Sequence, residues 1–229
     1  MTTFVLIHGA YQGSWIWQRV AAPLRAAGHR VLTPTLDGCA ERRHQIRPGI
    51  TTESHAAEIA ELLFFEDLRD VVLVGTSTGG MVLCRAAELA RERIGRIVFA
   101  DALALLDGEA LPDIVTRRNV ETTDVATGPS RTDAANRLFA DLDPATRAWT
   151  LERYCLHPIA AMTAPVKLDS FWDQTWRTTV IWCRHSANPP QAHQRRTAER
   201  LRGRWLELDT GHYPMLTAAD ELAQQIMIE

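Results

Sequence analysis

The sequence predicts an α/β fold: a mostly parallel six-stranded sheet covered by helices on both faces, with a small helical insertion capping it. Three observations carry this. Short β-rich runs alternate with longer helical patterns along the chain. The pentapeptide Gly75-Thr76-Ser77-Thr78-Gly79 stands directly between one such run and a helical pattern. The last run is followed at once by the pair Gly211-His212.

The strand candidates are 3–7, 30–33, 71–74, 96–100, 179–183 and 204–208. They are rich in β-branched residues and mostly continuously apolar, which is how strands buried on both faces read. The last alternates more, as an edge strand does. Helical patterns lie near 15–27, 52–67, 80–91, 190–202 and 217–227, giving the βαβα order of a parallel sheet. Residues of about 103–175 break the alternation and are punctuated by Gly128-Pro129, Asp143-Pro144, His157-Pro158 and Ala164-Pro165. This stretch is too long for a plain loop and carries its own aromatic residues, so it is expected to pack as a helical cap. The chain is thus expected to be one domain, with a core of about 1–102 and 176–229.

Composition bounds the function. With 229 residues, 46% hydrophobic and 23% charged, the chain can bury a full core. A net charge of −3 and the lack of a basic run argue against nucleic acid or an anionic membrane as partner. A small-molecule substrate is the expected partner, and a homodimer is left open. The chain begins Met1-Thr2-Thr3 and enters a strand pattern without a basic segment or cleavage site, and no apolar run approaches a membrane span. A cytoplasmic location is expected. Four cysteines without C-x-x-C spacing suggest neither a zinc site nor a disulfide framework. No metal and no cofactor are expected, because G-x-G-x-x-G spacing and a phosphate-binding loop are also lacking.

The chemistry concentrates in three segments. A serine on a tight strand-to-helix turn, flanked by glycines, is a nucleophile held clear of its own helix, so Ser77 is the candidate nucleophile. The segment His8-Gly9-Ala10-Tyr11-Gln12-Gly13 ends the first strand candidate. Acyl transfer needs two backbone N–H groups aimed at the developing oxyanion, one just after the nucleophile and one from this early loop. Those are Thr78 and Ala10. His8 is expected to shape that loop rather than act chemically. His212, behind the last strand and ahead of a helix, is the candidate base that takes the serine proton. Tyr11, Trp172 and Trp176 are candidate substrate-binding residues, since aromatic side chains suit an apolar pocket.

Phe4–Trp17, Gly75–Gly80 and Thr210–Met215 together resemble the hydroxynitrile lyase and methylesterase branch of the α/β-hydrolases. The resemblance covers the core but not the insertion. It implies a six-stranded sheet, a helical cap over the pocket, and cofactor-free Ser-His-Asp chemistry on small esters or cyanohydrins. Lyases that resemble this chain carry a lysine directly after the histidine; here that position is Tyr213. The resemblance therefore favours ester or thioester hydrolysis by a serine esterase.

The acid departs from the resembling pattern. It usually follows the penultimate strand, yet the segment Cys183-Arg184-His185-Ser186-Ala187-Asn188-Pro189-Pro190 holds no carboxylate. Ser186 cannot stabilise an imidazolium as an anion does. Asp101, at the carboxyl end of the strand after the nucleophile helix, faces the same crevice and is the best substitute, ahead of Asp107, Asp209 and Glu109. The loss keeps two other classes open: a cyclase or lyase using Ser77 and His212 as acid and base, or a non-enzymatic small-molecule receptor.

Overall fold

The computed structural model describes residues 1–116 and 120–228. Residues 117–119 of the insertion and residue 229 lie outside that description. Strands β1 (Thr3–Ile7), β2 (Arg30–Leu32), β3 (Val71–Ser77) and β4 (Ile94–Ala102) come first. The insertion contributes β5 (Val120–Thr122), β6 (Ala126–Pro129) and β7 (His157–Pro158), and the chain returns to the main sheet with β8 (Thr178–Cys183) and β9 (Arg204–Leu208). The main sheet has six strands in the order β2-β1-β3-β4-β8-β9, all parallel. Its order reverses at β1, with β2 on one side and β3 on the other. As the alternating pattern of its sequence predicts, β9 is an edge strand.

Both faces of this sheet are covered, and the two-residue period of the strands sorts the core into two layers. Val5, Ile7, Leu73, Ile97, Phe99 and Val180 point to one face. Phe4, Leu6, Val74, Val98, Ala100 and Ile181 point to the other. The first layer packs under α2 (Thr52–Phe65), α3 (Gly79–Leu89) and α8 (Gln191–Arg200) through residues such as Ile59, Leu83 and Ala198. The second packs under α1 (Gln18–Ala26) and α10 (Ala219–Met227) through Val20, Leu24, Leu222 and Ile226. Local signals start these helices: Thr51 caps α2 in a reciprocal pair with Ser54.

The insertion is not purely helical. Short helices α4 (Leu111–Ile114), α5 (Arg131–Asp133), α6 (Pro144–Arg153) and α7 (Ile159–Thr163) surround an antiparallel sheet of order β5-β6-β7. The sequence misses this sheet because its strands are two to four residues long and end in Gly128-Pro129 and Pro158, so no alternation can develop. A last short helix, α9 (Pro214–Thr217), follows β9. Among the described residues no helix is long and apolar enough to cross a membrane.

Candidate active site

Ser77 is the last residue of β3, and α3 begins two residues later. Its φ is +52°, a left-handed value that costs a non-glycine residue energy and lifts the side chain out of the strand. The turn closes only because its neighbours are small. A Cβ on Gly79 would lie 2.6 Å from the His8 carbonyl oxygen, and one on Gly9 would lie 2.6 Å from Ser77 Cβ. The loop after β1 and the β3–α3 turn therefore meet backbone to backbone.

That first loop is held by side chains. Leu36 N–H donates to His8 Nε2 at 3.0 Å, which leaves Nδ1 protonated and donating to the Gly9 carbonyl at 2.8 Å. Gly9 N–H donates to Gln12 Oε1 at 3.0 Å. Burial lowers the His8 pKa to about 4, so the ring is neutral and works as a strut. Ala10 and Tyr11 follow, Tyr11 with φ +66°.

His212 lies in the loop between β9 and α9. Its Nδ1–H donates to Asp101 Oδ2 at 2.6 Å. That bond fixes the ring and leaves Nε2 with its lone pair free. Asp101 is fully buried, whereas the His212 side chain is one-fifth exposed. Asp101 reaches the histidine through a fault in the sheet. Thr76 pairs with Ala100 and Ser77 with Ala102, so Asp101 is the extra residue of a β-bulge, with φ +47°. Its second oxygen, Oδ1, accepts from Gln194 Nε2 at 2.7 Å and from Cys183 N–H at 3.3 Å. Ser186, in the segment without a carboxylate, donates to the Asn188 carbonyl instead.

Ala10, Tyr11, Ser77, Thr78 and His212 all line one cavity of about 150 Å³. The insertion closes it with the apolar Leu111, Val115, Leu138 and Met162 and with the charged Asp133 and Arg137, so the wall is mostly but not wholly apolar. Tyr213 also lines it, and burial raises its phenol well above the ordinary tyrosine value, leaving a neutral hydroxyl beside the histidine. Among the described residues no hydrogen bond joins Ser77 to His212, a contact that often tightens only with substrate in place.

The structure places two of the expected substrate-binding residues elsewhere. Trp176 is buried, stacked on Phe171 at 5.3 Å and covered by the Arg91 guanidinium at 4.3 Å. Trp172 donates its indole N–H to the Leu105 carbonyl at 3.0 Å. Neither lines the cavity. Both belong to the apolar cluster on the α3 side of the sheet, Trp176 buried and Trp172 partly so, where large aromatic side chains contribute apolar area. Sequence reasoning also missed Gln12 and Gln194. The first lies inside a motif already read and is detectable there; the second sits on a strongly polar helix and carries no signal.

The family model for the alpha/beta hydrolase family matches residues 4–225. The chain belongs to the alpha/beta hydrolase family. The chain is 42% identical over 111 residues to a carbendazim hydrolyzing esterase of Nocardioides sp. (strain SG-4G), covering 48% of this chain and 46% of that protein. It is 33% identical over 119 residues to an alpha-hydroxynitrile lyase of Arabidopsis thaliana, covering 52% and 46%. The matched stretch thus spans about half the length of these curated relatives. Its fold matches that of an extracellular alpha/beta-hydrolase from a Paenibacillus species with a TM-score of 0.84 and 23% identity, over 99% of this chain and 98% of that one.

Proposed function

We propose that this hydrolase is a serine esterase that cleaves a small carboxylic ester or thioester through an acyl-enzyme. One observation carries the reading: Asp101 Oδ2 holds His212 Nδ1 at 2.6 Å on the wall of a cavity that Ser77 shares. Ser77 Oγ attacks the carbonyl carbon while His212 Nε2 takes its proton, and the Asp101 carboxylate stabilises the imidazolium. The Ala10 and Thr78 N–H groups receive the oxyanion. The leaving alcohol or thiol takes the proton from His212. Water then adds to the acyl group, gives its proton to His212, and the carboxylic acid departs as Ser77 is regenerated.

The mostly apolar wall and modest volume of the cavity favour small substrates. The likeness to a relative named as an esterase supports ester chemistry. Tyr213 bears on the likeness to a lyase, because a buried neutral phenol offers no cation to a departing cyanide. A fluorophosphonate probe tests the reading. It is expected to label the wild type and not Ser77→Ala, and the substitution is expected to lower kcat on p-nitrophenyl acetate by up to about 10⁶. Labelling of another residue, or activity retained in Ser77→Ala, overturns it.

A further inference from the structure

Gln194 lies on α8, the helix that packs beside β8, and its side chain is fully buried. Its Nε2 carries two hydrogens and uses both: one goes to Asp101 Oδ1 at 2.7 Å, the other to the Pro189 carbonyl at 3.1 Å. Reversing the amide would set Oε1 against two acceptors, so the orientation is determined by its partners. Oε1 meets no hydrogen-bond partner among the described residues. A buried carbonyl without a donor is costly, and an apolar side chain of the same length would avoid the cost. The amide therefore has to be accounted for by what its nitrogen does.

The nitrogen joins two parts of the site. Asp101 Oδ2 is committed to His212, and among the described residues Oδ1 has only one other donor, Cys183 N–H at 3.3 Å. Asn188 and Pro189 line the cavity. Their segment is the one that the acid occupies in the resembling family, and here it has no carboxylate.

We propose that Gln194 is a positioning residue: its amide clamps the displaced acid, Asp101, between α8 and the cavity wall, so that Oδ2 stays aligned on His212. The proposal rests on the serine esterase reading for its kinetic consequence and on geometry alone for its spectroscopic one. Without the donor, the carboxylate can rotate, and its hydrogen bond to the imidazole N–H loses its alignment.

The test uses Gln194→Met, which keeps the length and removes the donor, and Gln194→Glu, which replaces the donor by an acceptor. With p-nitrophenyl acetate, Gln194→Met is expected to lower kcat roughly ten- to hundredfold, the effect of losing a hydrogen bond to a charged group, with KM changed less than about twofold. Gln194→Glu is expected to lose more. Proton NMR is expected to show the His212 Nδ1–H at low field, assigned by its loss in His212→Ala, and to show it displaced in both variants. Folded variants with an unmoved resonance and kcat within about twofold of wild type overturn the proposal. One measurement needs no change at position 194: Asp101→Asn is expected to move the Gln194 side-chain amide protons upfield, and unmoved protons overturn it. If the wild type fails to hydrolyse p-nitrophenyl acetate, or Ser77→Ala retains that activity, the esterase reading falls while the resonances still decide the role of Gln194.

Discussion

Three residues of the site share one backbone property. Tyr11, Ser77 and Asp101 have φ of +66°, +52° and +47°, in a region that side chains with a Cβ rarely adopt. In each case the strain turns a side chain off the line of its strand or loop. Asp101 shows the benefit most clearly. A regular β4 would continue the alternation of Phe99 and Ala100 and send residue 101 to the face that α2, α3 and α8 cover; the bulge re-aims it to the histidine loop. Aspartate is among the residues that tolerate this conformation best. An Asp101→Asn substitution keeps the shape but favours the wrong imidazole tautomer. It is expected to lower kcat on p-nitrophenyl acetate by about 10⁴, while Ser186→Ala leaves kcat within about twofold. Similar losses in the two variants would remove Asp101 from its role.

At the level of elements, the β3–α3 turn and the loop after β1 act as one unit. His8 joins them to the next strand connection: its Nε2 accepts from Leu36 and its Nδ1 pins the Gly9 carbonyl. In a trans peptide the N–H points opposite to the carbonyl, so this bond also fixes the direction of the Ala10 N–H. The unit has no room for a methyl group. Gly79→Ala would bring a Cβ within 2.6 Å of the His8 carbonyl oxygen, an atom of the backbone that cannot rotate away. The expected outcome is a loss of about 1–3 kcal/mol in urea unfolding, the usual cost of overpacking, together with reduced activity as the two loops part. An unchanged unfolding midpoint would show that the turn can open without penalty.

Across the whole molecule, the two core layers enclose several histidines in neutral form. Burial lowers His8 and His193 from the ordinary 6.5 to about 4, and lowers His55 as well. His193 Nε2 accepts from the Ala104 N–H, so protonation there would break a bond between α8 and the segment after β4. Between pH 6.5 and 4 the unfolded chain binds protons that the folded chain refuses. Stability is therefore full above about pH 6.5 and falls as pH drops through that window, His8 and His193 each contributing up to about 1.4 kcal/mol per pH unit and His55 adding in the same direction. Denaturant unfolding at pH 7, 6 and 5 is expected to show this slope. His8→Gln, which retains a donor and an acceptor, is expected to flatten it; an equal slope in the two proteins would assign the acid sensitivity to other groups.

The six strands of the main sheet were legible in the sequence because the inner ones are buried on both faces and read as continuous apolar runs, while β9 alternates as an edge strand does. The sequence also marked Ser77, Ala10 and His212 as candidates, because each sits at a fixed offset from a strand end that glycine marks, and the three line one cavity. Local sequence carries such information: periodicity, turn chemistry and position along a strand. The small sheet of the insertion was not legible, since strands as short as His157–Pro158 have no periodicity to read. Nor was the placement of Trp172 and Trp176, whose composition suits a pocket and a core equally well. Asp101 could be offered as the acid from its place at a strand end, but the geometry of its approach to His212 depends on a bulge between β3 and β4, and the hold of Gln194 on Asp101 joins residues 93 positions apart. Such contacts arise only when the packed sheet and helices bring distant backbone to within hydrogen-bond length, so the tertiary structure alone decides them.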